Sequence, residues 1–121
     1  MIKKADKNAE RRQRAKRTAD IHGTAKKPRL SVYRSLGNIY AQLIDDDKGE
    51  TMVAVNTLQD AIQKMTTGKP KQEQAVIVGR ELGKLAMKKK IETCVFDRNG
   101  YRYTGRIKNV ADGAREGGLK F

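Results

Sequence analysis

Residues 29–34, Arg-Leu-Ser-Val-Tyr-Arg, alternate so that Leu30 and Val32 share one face, the period-two pattern of a half-buried strand. Pro28 stands just before them, a position that suits a strand start. Alternation returns from Asn38 to Ile44, with Ile39, Ala41 and Leu43 set against Tyr40, Gln42 and Ile44. Asp45-Asp-Asp-Lys-Gly-Glu50 is a turn signal, and Thr51–Val55 resumes a strand, which predicts a three-stranded meander. Thr57–Lys69 is polar, with one helical turn expected around Leu58–Met65. From about Pro70 to Lys90 the period changes: Ala75, Val78, Leu82 and Leu85 fall at helical spacing. Pro70 fits the first turn, and Lys88-Lys-Lys90 complements the carbonyl end of the dipole. Glu92–Phe96 reads as a buried strand, so strand–helix–strand order implies a parallel crossover. Ile107, Val110, Ala111 and Ala114 predict a second amphipathic helix, with Gly117 as its left-handed cap and Leu119 as the apolar contact behind it. The expected fold is α/β: a single domain with a mixed β-sheet, in the order β-β-β-α-β-α, covered by two helices.

Charge divides the chain. Residues 1–34 hold 12 Lys and Arg against 3 Asp and Glu, and residues 35–121 hold 15 against 11, together the net +13 of the whole. Before Pro28 the large aliphatics are Met1, Ile2 and Ile21 alone, whereas residues 29–121 carry 22 Leu, Ile, Val and Phe, enough for a small core. So basic a leading segment cannot bury enough apolar area to offset its ordering entropy. It has helix formers but no apolar stripe, so a helix there needs a partner. The expected organisation is a basic flexible N-terminal extension, residues 1–25, mobile alone and ordered on an anion, ahead of a globular domain, residues 26–121. The excess charge points to a polyanionic partner rather than a small-molecule substrate. One Cys and one His exclude a disulfide framework and an ordinary Cys/His zinc site. No apolar run is long enough to span a membrane. The start lacks the apolar core of a secretory signal, and Asp6 and Glu10 interrupt any likeness to a mitochondrial presequence.

The candidate chemistry is sparse. His22 lies in the arm, where a general base lacks fixed geometry, so it reads as a polar contact. Cys94, between Thr93 and Val95, reads as a small core hydrophobe. Asp45–Asp47 converge poorly on one cation and read as a solvated hairpin turn. Gly79-Arg-Glu-Leu-Gly83-Lys84 misses the phosphate-loop spacing and reads as mid-helix, its glycines permitting close packing on the sheet. The richest segment is Asp97-Arg-Asn-Gly-Tyr-Arg-Tyr-Thr-Gly-Arg106. Asn99-Gly100 signals a tight turn. Arg98, Arg102 and Arg106 offer guanidinium forks for phosphate, while Tyr101 and Tyr103, if extended, share a face that can stack on bases.

Those residues carry a family likeness that runs nearly end to end. Gly23-Thr-Ala-Lys-Lys-Pro-Arg-Leu-Ser-Val-Tyr-Arg-Ser35, Ile39-Tyr-Ala-Gln-Leu-Ile-Asp-Asp46, Val95-Phe-Asp-Arg-Asn-Gly-Tyr-Arg-Tyr-Thr-Gly-Arg106 and Ala111-Asp-Gly-Ala-Arg-Glu-Gly-Gly-Leu-Lys-Phe121 stand in order. The sequence resembles the family of ribosomal protein eighteen of the bacterial large subunit. It departs from that family at Leu36-Gly37-Asn38, at Asn99 and at Thr104. The resemblance implies a cytoplasmic RNA-binding structural protein without catalytic activity, cofactor or metal. It would bind 5S rRNA and, with ribosomal protein five, attach it to 23S rRNA in the central protuberance. By position, it implies RNA-facing roles for Arg11, Arg12, Arg14, Lys16 and Arg17 of the arm. It implies the same for Lys27, Arg29, Arg34 and Ser35, for Tyr40, and for Arg98, Tyr101, Arg102, Tyr103 and Arg106. The expected chain is a monomer when free, with no membrane or small-molecule partner. The alternative is a general structured-RNA or DNA-binding protein without preference for 5S rRNA.

Overall fold

The computed structural model describes residues 7–16 and 21–121, with the backbone alone for residues 7, 8 and 14–16. A helix α1 (Lys7–Lys16) precedes a meander of β1 (Arg29–Arg34), β2 (Ile39–Asp45) and β3 (Glu50–Asn56). Then come α2 (Asp60–Thr66), α3 (Lys71–Lys88), β4 (Val95–Asp97) and α4 (Gly105–Glu116). The sheet order is β3-β2-β1-β4, antiparallel except where β4 runs parallel to β1. The crossover through α3 therefore carries the chain past two strands to the far edge.

Register explains the layers. Leu30 pairs with Leu43 and Leu43 with Val53, while Val32 pairs with Ala41 and Ala41 with Val55. These six side chains form one apolar face, nearly closed to water, that α3 and α4 cover with Ala75, Val78, Leu82, Ala86, Ile107, Val110 and Ala114. The opposite face carries Ser31, Tyr33, Tyr40, Gln42 and Ala54.

Several details differ from the sequence reading. The segment read as a single helical turn is the seven-residue α2. On α3 the buried positions follow the 3.6-residue period from Ala75 to Ala86, which leaves Leu85 exposed. The last strand is only three residues long and half-buried. Ile91 closes the cap of α3 through its N–H to Ala86 O (2.9 Å), and Thr93 bridges to Lys120 in the C-terminal tail. The left-handed cap of α4 falls on Gly118 (φ +120°), not on Gly117, which remains helical. Leu119 N–H to Ala114 O (3.1 Å) and Gly118 N–H to Arg115 O (3.1 Å) complete the capping motif, with Leu119 buried behind it as expected.

The helical glycines pack helix on helix rather than helix on sheet. A Cβ on Gly79 would lie 2.1 Å from Val110 O, and one on Gly113 would lie 2.2 Å from Val76 O. Gly83 and Gly117 meet in the same way one turn further on, so α3 and α4 approach backbone to backbone. Among the described residues, no helix is long and apolar enough to cross a membrane.

Candidate nucleic-acid interface

The 97–106 segment begins with a turn that the sequence signals locally. Asn99 (φ +54°) and Gly100 (φ +79°) are both left-handed, and Tyr101 N–H donates to Arg98 O at 3.0 Å across them. Asp97 Oδ1 accepts the Asn99 N–H at 2.9 Å and fixes the turn's entry. Asn is the residue after glycine that best tolerates this backbone region.

The turn folds Tyr101 back onto β1. Its hydroxyl donates to Arg34 O at 3.2 Å and accepts the Arg34 N–H at 3.3 Å, and the side chain is buried. Tyr103 goes elsewhere, edge-on to Phe96 with its hydroxyl accepting from Arg115 Nη1 at 3.0 Å. The two tyrosines therefore do not share a stacking face, because the chain between them is not extended. Tyr33 takes the exposed aromatic position instead, its ring 6.5 Å from Tyr101 and 5.8 Å from Tyr40. The alternation of β1, with Leu30 and Val32 inward, already carried the signal for Tyr33.

Beside these rings lies a groove of about 800 Å³ lined by Glu10, Arg11, Tyr33, Arg34, Ser35, Leu36, Tyr101, Arg102, Thr104 and Arg106. Four guanidinium groups face it against one carboxylate. Arg34 lies 5.1 Å above the Tyr101 ring. Arg106 stands in the first turn of α4, which holds no acidic residue. The amide end of that helix adds positive potential. Burial, and then the neighbouring charge of Arg34, lower the Arg106 pKa. Helix α1, with no aliphatic larger than alanine, is held by an unusual anchor. The Arg11 guanidinium sits 5.5 Å from the Tyr33 ring centroid and 5.1 Å from that of Tyr101, and Nη1 donates to Asn99 O at 3.0 Å. Its Nε is buried without a hydrogen-bond partner.

The groove thus gathers Arg11, Arg34, Ser35, Tyr101, Arg102 and Arg106. Tyr40 adjoins it through Tyr33, on a shallow dish of about 300 Å³ on the sheet face opposite α3 and α4. Arg98 is exposed at the turn outside the groove, and Arg12 is exposed on α1. Lys27 stands at the opposite end of β1. Arg17, and the side chains of Arg14 and Lys16, lie outside the described residues. Arg29 has inward partners: Nε and Nη2 donate to Asp46 at 2.9 and 3.2 Å, and Nη1 donates to Asp97 at 2.9 Å. Its hydrogen bond to Asp46 raises its pKa, and the same bond, followed by the Gly23 N–H, lowers that of Asp46.

The three aspartates of the hairpin have separate partners rather than plain solvation. Asp45 is buried and accepts the N–H groups of Asp47 (3.0 Å) and Lys48 (3.4 Å). Asp46 holds Arg29 and the Gly23 N–H (2.8 Å), and Asp47 accepts from His22 Nε2 at 2.6 Å. His22 is thereby a clasp between the segment before β1 and the hairpin, and that hydrogen bond raises its pKa. Cys94 is buried, and desolvation pushes its thiol up to about 12, so it packs as a hydrophobe.

Comparison with known proteins agrees along the whole chain. The family model described as ribosomal L18 of archaea, bacteria, mitochondria and chloroplast matches residues 3–121. Large ribosomal subunit protein uL18 of Alkaliphilus metalliredigens and that of Clostridioides difficile are each 51% identical over 122 aligned residues, covering 100% of both chains. That of Chlorobium phaeobacteroides is 52% identical over 115 residues, 93% of this chain and 95% of its own. With its basic groove, its mixed sheet and this end-to-end match, the chain belongs to the ribosomal L18 family.

Proposed function

We propose that this chain binds 5S rRNA through the arginine groove and, together with ribosomal protein five, attaches it to 23S rRNA. As a member of its family it is a structural constituent of the large subunit of the cytoplasmic ribosome, and not an enzyme. The observation that carries the finer reading is the set of four guanidinium groups lining one groove over Tyr33 and Tyr101. An RNA duplex hides its bases in a deep, narrow groove, so recognition goes through shape, phosphate and 2′-hydroxyl. Guanidinium forks fit phosphate in two-point geometry, and Tyr33 offers an aromatic face to an unstacked base. Fixed geometry in the groove gives choice among RNAs, while the arm, residues 1–25, adds affinity by counterion release with little preference. Arg29 supports the groove from behind by tying Asp97, at the head of the 97–106 loop, to the hairpin.

The test is equilibrium binding to 5S rRNA with tRNA as competitor, across a salt series. The native chain is expected to prefer 5S rRNA at every salt concentration. Arg34→Gln with Arg102→Gln is expected to lower that preference about tenfold, the loss of roughly one charge-assisted hydrogen bond. Equal binding to both RNAs, falling together as salt rises, would leave a general nucleic-acid-binding protein.

A further inference from the structure

The end of the molecule opposite the groove gathers a second set of cations, by different chemistry, beside Glu92 and the β2–β3 hairpin with Asp47 and Glu50. α3 begins at the groove end, where Lys71 Nζ donates to Leu36 O at 2.7 Å. Its 18 residues carry the chain about 27 Å away. There Lys88, Lys89 and Lys90 close the helix, and residues 91–94 gather two more segments. Thr93 Oγ1 donates to Lys26 O at 3.3 Å, Lys120 N–H donates to Glu92 O at 2.9 Å, and Cys94 N–H donates to Lys120 O at 3.3 Å. Lys26, Lys27, Lys88, Lys89, Lys90 and Lys120 thus reach one end from three separate stretches of sequence, and all six are exposed. Lys89 donates to Met52 O at 2.7 Å. The other five make no ion pair among the described residues. Lys90 stands at φ +62° in the cap of α3, a conformation that favours glycine. Lys90 thus carries its charge at a cap position that glycine fills more easily.

We propose that this lysine end is a second RNA-binding surface, which takes the phosphate backbone of a double-stranded segment while the arginine groove holds another RNA. The inference rests on the groove reading above. Lysine ammoniums are point charges on flexible stems, suited to following a backbone without two-point geometry. Protein interfaces are depleted in Lys and enriched in aromatic residues, and this cluster includes no aromatic. Of the exposed large apolar side chains among the described residues, only Leu85 lies on the last turns of α3. That is too little for the apolar face of an interfacial membrane helix.

The test uses the full chain, a 5S rRNA and a labelled plain RNA duplex of about 20 base pairs, longer than the roughly 16 that one double-stranded-RNA module spans. Lys26, Lys88, Lys90 and Lys120 are changed together to Gln in one variant and to Arg in another. The Gln variant is expected to bind 5S rRNA like the native chain. Capture of the duplex by the preformed 5S complex is expected to fall about tenfold or more, with a salt dependence shallower by about one unit per lost phosphate contact. The Arg variant is expected to capture the duplex as the native chain does. Unchanged capture by the Gln variant would overturn the proposal, as would a matching loss of 5S binding, which would put these lysines in the first site. Displacement of the duplex by polyglutamate at equal charge would point to an acidic protein instead. If the native chain shows no 5S preference, the groove reading fails. Duplex binding compared with and without the Lys→Gln changes, in a chain carrying Arg34→Gln and Arg102→Gln, still tests the lysine end by itself.

Discussion

Arg29 and His22 hold the start of the sheet to the β2–β3 hairpin by two ion pairs of opposite pH sense. The Asp47 hydrogen bond raises the His22 pKa, so its contribution to stability is fully present below about pH 6.5 and is lost as pH rises through the folded-state value. The Arg29 hydrogen bond and the Gly23 N–H lower the Asp46 pKa. That contribution is present above the ordinary carboxylate range and is lost as pH falls through the lowered value. His22→Gln is therefore expected to lower the thermal midpoint more at pH 5.5 than at pH 8.5, read by circular dichroism. An equal difference at the two pH values would exclude the clasp. None of this was legible in the sequence. Asp45-Asp46-Asp47 signals a turn by composition, but which carboxylate meets which cation depends on Gly23 lying across the hairpin, with Asp46 N–H donating to its carbonyl at 2.9 Å.

At the scale of elements, the strands and the two long helices were legible because each is written in a local period. β1 begins and ends on the residues that the alternation marks, Arg29 and Arg34. The seam between α3 and α4 was not legible. Gly79 and Gly83 show that something comes close, but only the fold decides that it is α4 rather than the sheet. Gly79→Ala would bring a methyl group 2.1 Å from Val110 O, a rigid backbone atom. The helices would have to separate, and the expected loss is about 2–3 kcal/mol, less the better helix propensity of alanine. Chemical denaturation measures it, and a stabilised variant would show that the seam opens freely. The groove loop was partly legible. Asn99-Gly100 announced the turn, but the turn itself withdraws Tyr101 from solvent and parts it from Tyr103.

At the scale of the whole molecule, cations stand at both ends of α3, with arginine and tyrosine at one and lysine at the other. Helix α1 lies across the arginine end, anchored there by Arg11. Deleting residues 1–20 is expected to weaken binding to every RNA and to flatten the salt dependence, while the preference for 5S rRNA over tRNA survives. Parallel titrations at several salt concentrations read both quantities. A truncated chain that lost its preference and kept its general affinity would place the choice of RNA in the arm.

The sequence by itself determined the α/β class, the order of strands and long helices, the basic leading segment and the family, since all of these rest on local periodicity, charge and ordered motifs. The tertiary structure decided which cations face outward. Arg29 and Arg34 end the same strand with the same chemistry. One is held between Asp46 and Asp97, and the other lies over the Tyr101 ring beside the groove. That difference comes from neighbours up to 68 residues away along the chain, and no local pattern encodes such contacts.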